Sequence, residues 1–434
     1  MKVAHISAEY QKIAVSRPVS RRTGETDWFS LVRILLVVSL FGAPLAFGAV
    51  ETWAWAALSI VTFSLLPGWA LGCIEENKIR IRWSPYHLLG ALFLSLGMTQ
   101  LVTGRTLDRI ATREALFKLA ADLVIFFLAA QLFERASRRV WHRFGIAVLL
   151  YGSAVSTLAI LQFFSRPDLI YWNVKPQLGG YVFGPYVNHN HYAGLMEMVI
   201  PIGASFLLGQ PKGLPWRWIL GLASILSIFS VLLSGSRAGS ISLLVESILL
   251  GAILLRKSRR YHTKHVALAA IAVAFSLILF VWIAPAEVSG RLQTIVRSHD
   301  LTYSDRRQMT LDSLRMFKDH PWVGVGLGSF ATVYPHYQNA LGDIFVDHAH
   351  NDFVETLAET GLVGMLLILV SLCVFLVTIF SRRHECVTTE RRWIGLGAVL
   401  GCCGLLCHGL ADFNFHIPAN AAWFAFSAGI AQSS

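Results

Sequence analysis

Two histidines one residue apart lie in the run Asp347-His348-Ala349-His350-Asn351-Asp352. A helix is expected to begin here, with Asn351 or Asp352 as its cap, and to enter an apolar segment at Gly361. A helix N-terminus favours bound anions. A neutral imidazole beside an anion site suits general-base work on a hydroxyl, and His350 stands where that base would be needed. A solvated histidine that only helps to cap the helix is the simpler alternative. The pairs His189/His191 and His348/His350 also raise the question of a metal. Alternating spacing supplies two ligands only from an extended segment, and no cysteine or adequate further ligand set accompanies them, so no metal and no other cofactor is expected.

Three more places carry polar groups at odds with their apolar surroundings. Gly235-Ser236-Arg237-Ala238-Gly239 joins two apolar runs by a minimal turn, where Arg237 either snorkels to an interface or meets an anion. Asn188-His189-Asn190-His191 opens another run, with Asn190 as a candidate beside a plain capping role. Asp412-Phe413-Asn414-Phe415-His416-Ile417-Pro418 joins the last two, with His408 just before it. Charged or imidazole groups at such depths are costly unless they serve a function. A fourth stretch, Ser304-Asp305-Arg306-Arg307, starts a helix expected to reach about Lys318, with Met309, Leu314, Met316 and Phe317 on its apolar side; His320-Pro321 stops it. Gly324, Gly326 and Gly328 follow without the strand–turn–helix setting of a nucleotide-binding loop.

The elements that must position these residues are membrane helices. Hydrophobic residues make up 55% of the 434 and charged residues 15%, whereas an ordinary soluble domain carries about 25% charged residues. Disorder and a disulfide-stapled secreted scaffold are both excluded, the latter because there are only 6 cysteines. About twelve apolar runs of spanning length are legible, at 31–50, 53–73, 86–103, 115–133, 145–164, 191–209, 217–234, 239–255, 266–285, 361–380, 393–411 and 418–431. The reading is an all-α polytopic membrane protein. Residues 1–29 form a cytoplasmic tail, 30–284 carry helices 1–9, 285–360 make one large periplasmic loop with short helices, and 361–434 carry helices 10–12. Lys and Arg concentrate in alternate connections, for example Lys78, Arg80 and Arg82, Arg135 to Arg143, Arg256 to Lys264, and Arg382 and Arg383. Both termini are therefore expected inside. The net charge of +11 follows from this bias over many short loops, and no nucleic-acid partner is implied.

With these positions in place, the chain resembles the O-antigen ligase and polymerase family. His350-Asn351, nine residues, then Gly361-Leu362-Val363-Gly364 resembles that family's H-N-x9-G-x-x-G signature in a large loop before a late span. The Gly-Ser-Arg-Ala-Gly turn, the stretch from Arg306-Arg307 to Pro321-Trp322-Val323-Gly324-Val325-Gly326, and the segment from Gly184 to Asn190 resemble its other elements in the same order. The resemblance covers about 85–431 and leaves 1–29 outside. It implies a metal-independent, multi-pass glycosyltransferase of the bacterial inner membrane with a periplasmic site. The donor would be a glycan on undecaprenyl diphosphate, and the acceptor a hydroxyl of another glycan, lipid A–core or protein. In that frame His350 is the base. Arg237 and Arg307 are the first diphosphate ligands, with Arg306 competing with Arg307, because guanidinium pairs with phosphate in bidentate fashion and stays charged. Asn190, His348, Asn351 and Asp412 stand in support or on the acceptor side, and membrane lipid surrounds the whole. Ligase and polymerase are not separated by these residues.

The competing class is a transporter or flippase for a lipid-linked or anionic substrate. Internal repeats and polar groups at mid-span mark that class, whereas here the polar residues gather at the expected outer face. Single-cysteine labelling tests the topology that underlies the reading. A cysteine at Gln338 should react with an impermeant reagent from outside, and one at Ser258 only after the membrane is opened; reaction of both from one side would overturn the expected placement of the site.

Overall fold

The computed structural model describes residues 27–176, 180–211, 213, 216–257, 303–339, 345–381 and 388–433. Among them all regular structure is helical, apart from the isolated bridges Ile170–Val174 and Phe183–Tyr186. The long helices are α1 Asp27–Leu45, α2 Thr52–Glu75, α3 Pro85–Val102, α4 Arg109–Glu134, α5 Arg138–Ser165, α6 His189–Gly209, α7 Trp216–Ser234, α8 Arg237–Lys257, α9 Tyr303–Asp319, α10 Asp352–Ser381, α11 Thr389–His408 and α12 Pro418–Ser433. Nine helices among the described residues, α1–α8 and α10, are long and apolar enough to span a membrane. The expected run at 266–285 and the tail before residue 27 lie outside the described residues. The runs at 393–411 and 418–431 do form helices, α11 and α12. However, α12 has only 16 residues and α11 starts on Glu390-Arg391-Arg392, so neither is among the nine.

The bundle is built around α6, most of which is buried. Its chief neighbour is α11, and small residues make that approach possible. A Cβ on Gly397 would stand 2.4 Å from the Pro201 carbonyl oxygen, and one on Gly401 2.8 Å from the Met198 Cα. The contact also buries an ion pair: His408 Nδ1 lies 2.7 Å from Glu197 Oε1, with neither side chain exposed. Lone charges of this kind would be very costly in an apolar interior, so they are found paired.

A second, smaller core belongs to the segment before α10. Met309 and Met316 of α9 pack with Val325, Phe330, Tyr334, Val346, Ala349 and Ala358. The buried face of α9 follows the helical period through Met309, Asp312, Ser313 and Met316. Leu314 and Phe317, expected on the apolar side, are only partly buried. Asp312 takes an inward place because it accepts hydrogen bonds from Tyr334 Oη at 3.2 Å and from Asn339 N and Nδ2 at 3.2 and 3.0 Å.

The glycine loop after α9 interlocks with α10. Val325 N and Gly326 N donate to the carbonyls of Ala358 and Glu359, each at 3.0 Å, while Leu362 N and Val363 N donate back to Pro321 and Trp322 at 2.8 and 3.2 Å. The exchange is possible because α10 breaks at Gly361, where φ is +63° and ψ −160°. Gln100 of α3 holds both strips. Its Nε2 donates to Val323 O and Glu359 O, and its Oε1 accepts from Leu327 N. There is no room for a side chain at the seam. A Cβ on Gly324 would lie 2.2 Å from the Glu359 carbonyl carbon, and one on Gly361 2.5 Å from that of Trp322. Gly324→Ala and Gly361→Ala should each destabilise the protein by roughly 2–4 kcal/mol through backbone clash and positive φ. Gly42→Ala, where nothing lies within 4 Å, should be near neutral. Thermal midpoints in detergent check this ordering.

Candidate functional site

The turn between α11 and α12 is seated on the first residues of α10. Asp352 N donates to Gly409 O at 2.8 Å and to Asp412 O at 3.2 Å. Asn351 Nδ2 donates to Leu410 O at 2.8 Å, while its Oδ1 accepts from Phe353 N and Val354 N, both at 3.1 Å. Of the two cap candidates Asn351 therefore fills the role, and it ties the cap to the turn as well. Below, Asn420 Nδ2 donates to His191 O and Asn414 Oδ1 at 2.9 and 2.8 Å. A Cβ on Gly194 would stand 2.1 Å from Asn414 Oδ1. The start of α6 thus serves this turn by packing. Asn188 caps α6 through a bond from Asn190 N, and Asn190 is buried in the first turn.

Across this seat His350 Nδ1 faces Asp412 Oδ1 at 3.1 Å. The Asp412 side chain is fully buried and His350 is 12% exposed. Phe413 N donates to the same Oδ1 at 2.9 Å. His350 has φ +50°, an uncommon conformation for a side-chain-bearing residue and one that such sites retain at a cost of about 1–3 kcal/mol. Burial opposes the charge of Asp412. The hydrogen bond and charge of His350, with His191 and His408 behind, nonetheless hold its carboxyl well below the usual carboxylate range. An ionised Asp412 keeps the Nδ1–H tautomer of His350 and leaves Nε2 as the proton-accepting nitrogen.

The arginines divide. Arg306 reaches the same turn, its Nη1 donating to Ala411 O at 3.0 Å, and its Nε is buried without a hydrogen-bond partner. Arg307 is exposed. Arg237 is the exposed first residue of α8, just after Ser236, whose Oγ accepts from Gly239 N at 3.1 Å. A Cβ on Gly239 would touch Ala193 at 2.6 Å, so the Arg237 turn lies against the start of α6, which also carries the His350–Asp412 turn.

His348 does not join the dyad. It stacks on Phe413, ring centroids 4.3 Å apart, while His350 and His191 meet the same ring edge-on at 4.8 and 4.7 Å. His348 belongs to a second cluster with Glu355, His416 and Asp352. His348 Nδ1 and Glu355 Oε1 are 2.7 Å apart, His416 Nε2 and Glu355 Oε1 3.2 Å, and His416 Nδ1 and Asp352 Oδ1 3.0 Å. Burial opposes a charge on His416, but Glu355 and Asp352 prevail and push it up to about 10. Sequence reasoning missed Glu355 and Asp352 as a set with the two histidines. The i, i+3 spacing of the acids on α10 was the available signal, but His416 arrives from another loop.

This second cluster opens on a groove of about 1380 Å³ lined by Tyr86, Phe93, Phe126, Phe353 and Leu367 along its length, with His348 and His416 among its polar residues. The groove runs between α3, α4, α10, α11 and α12.

No curated protein matches the chain. Residues 222–369 match the family model described as O-antigen ligase; they include the Arg237 turn, α9, the glycine loop, His350 and the kink at Gly361, and they stop short of Asp412. The match, in a chain with nine apolar helices of spanning length among its described residues, supports the likeness to the O-antigen ligase and polymerase family over that segment.

Proposed function

We propose that the protein transfers a glycan from an undecaprenyl-diphosphate donor to an acceptor hydroxyl at the periplasmic face of the bacterial inner membrane, with both chain termini cytoplasmic. The observation that carries this reading is the His350–Asp412 pair, 3.1 Å apart on a buried carboxylate. His350 Nε2 removes the acceptor proton as the oxygen attacks the anomeric carbon. The bond from that carbon to the diphosphate oxygen breaks, and undecaprenyl diphosphate leaves with the electron pair. Asp412 orients the imidazole and stabilises the imidazolium that forms, the division of labour seen in hydrolase triads. The charge that grows on the diphosphate calls for fixed cations. Arg306 and Arg237 are assigned to it. Arg306 takes precedence over Arg307 because it is the one bonded to the Asp412 turn. The apolar groove supports a lipid-tailed donor. Asn351 acts by holding the turn, Asn190 stands in the first turn of α6 on which that turn packs, and the transfer step itself uses no metal. Glycan, lipid A–core and protein acceptors all fit the chemistry.

Kinetics on purified enzyme with a lipid-linked donor test these roles. His350→Ala should lower turnover by about 10²–10⁴-fold while donor binding persists. Near wild-type turnover in that variant would end the assignment. Asp412→Asn should keep the fold yet cost up to about 10⁴-fold, because the amide favours the wrong tautomer.

A separate series addresses the arginines. Arg306→Ala and Arg237→Ala should weaken donor binding, slow leaving-group departure, or both. Lys should rescue only in part, since an ammonium lacks the planar fork. Arg307→Ala should have the smallest effect; a larger loss at Arg307 than at Arg306 would reverse their order.

A further inference from the structure

The cluster next to the dyad is not used by the transfer scheme. One potential ligand atom from each of His348, Glu355 and His416 lies within 4.8 Å of the other two. They come from the segment before α10, the first turn of α10 and the turn before α12, so the set assembles only in the folded chain. Each ligand atom is aimed by a neighbour. Asp352 Oδ1, 3.0 Å from His416 Nδ1, keeps a proton on Nδ1, and a bound ion would displace the other ring proton and take Nε2 at the centre of the cluster. This is the carboxylate–histidine arrangement that orients metal-bound imidazoles. Ala349 N donates to Glu355 Oε2 at 2.7 Å and leaves Oε1 facing the two rings. Phe413, stacked 4.3 Å from the His348 ring, fixes the third ligand.

Two imidazoles and one carboxylate are a set that zinc and neighbouring transition metals accept, with at least one coordination position left open. Ions that favour all-oxygen shells are poorly served by it. Bonds of about 2.0–2.2 Å at tetrahedral angles space ligand atoms about 3.3 Å apart. The separations of 2.7 and 3.2 Å to Glu355 Oε1 reach that with a sub-ångström widening. Glu355 is 1% exposed while His348 and His416 are 25% and 24% exposed, so the open side is that of the imidazoles, which also line the groove. We propose that His348, Glu355 and His416 bind one divalent transition-metal ion of the zinc class, with Asp352 as the positioning carboxylate and the open position toward the groove. The ion would tie the start of α10 to the turn that carries Asp412. The proposal goes beyond the transfer reading and does not rest on it, since neither His350 nor Asp412 is a ligand.

The test uses the full-length protein without a histidine tag, stripped by chelator and titrated with Co²⁺ alone. The expected result is a ligand-field absorption that saturates at about one equivalent and is displaced by Zn²⁺. Glu355→Gln and His416→Gln should abolish it, and Asp352→Asn should weaken binding by about 10–100-fold. Zn²⁺ should also raise the thermal midpoint of the wild type and not that of His416→Gln. A wild type that takes up no Co²⁺ overturns the site whatever the variants do. So does a spectrum unchanged by His348→Gln and His416→Gln. Glycan transfer assayed before and after chelation separates the two proposals. Retained transfer alongside Co²⁺ binding supports both; transfer lost and restored by Zn²⁺ supports the site and overturns the metal-free transfer step.

Discussion

Two strips of backbone, residues 321–326 and 358–363, lie against each other with no room for a side chain at Gly324 or Gly361, and the polar end of the bundle is referenced to that seam. Four main-chain hydrogen bonds cross it, and one glutamine from α3 closes it from the bundle side. Packed side chains tolerate small slips, but paired backbone strips do not, because a shift of one residue would leave buried N–H and C=O groups unpaired. The seam also interrupts α10. Below Gly361 the helix is apolar and suited to lipid; above it a short polar stretch carries Asp352 and Glu355 and begins at Asn351. The orientation of that stretch is fixed by the glycine loop and not by the membrane span that follows.

A second constraint comes from the turn between α11 and α12. A tight connection between apolar helices has backbone groups that lipid cannot satisfy. Here they are taken up by Asn351, by Asp352 N and by Arg306. The same bonds bring Asp412 to His350. Satisfying the turn and assembling the dyad are therefore one event. The family match ends at residue 369, so the acidic partner of the histidine is supplied by a part of the chain beyond the matched segment.

Much of this was legible in the residues. Apolar runs located the helices, because a spanning helix needs a long uninterrupted stretch that few other structures require. Asn351 and Asp352 marked the start of α10, and His320-Pro321 the end of α9. Arg237 could be singled out as a charge between two apolar runs, His350 by its place at a helix start, and the Arg306-Arg307 pair by the family resemblance. Pairings across the chain were not legible. Neither the 62-residue separation of His350 and Asp412 nor the 211-residue separation of His408 and Glu197 leaves a local pattern. The role of the glycines was also hidden. Gly324 and Gly361 stand in stretches that resemble the family's glycine motifs, and both are small because another backbone occupies the space. The two arginines could not be ordered for a similar reason: adjacent residues on a helix point about 100° apart, and only the position of the Ala411 carbonyl decides which one turns inward.

The placement of Phe413 gives the site its division of labour. Its ring touches three imidazoles, His191, His348 and His350. Behind those rings stand two separate acidic groups, Asp412 for His350 and the Glu355–Asp352 pair for His348 and His416. Were the histidines free to exchange partners, the proposed base would compete for the carboxylates of the proposed cation site. An aromatic ring prevents this without adding a polar group that would itself need a partner. It packs against each of the three imidazoles. It also meets one histidine face-on and the other edge-on, so the two rings are held in different planes. A single turn of chain thus supplies both the carboxylate bonded to His350 and the ring packed against His350 and His348.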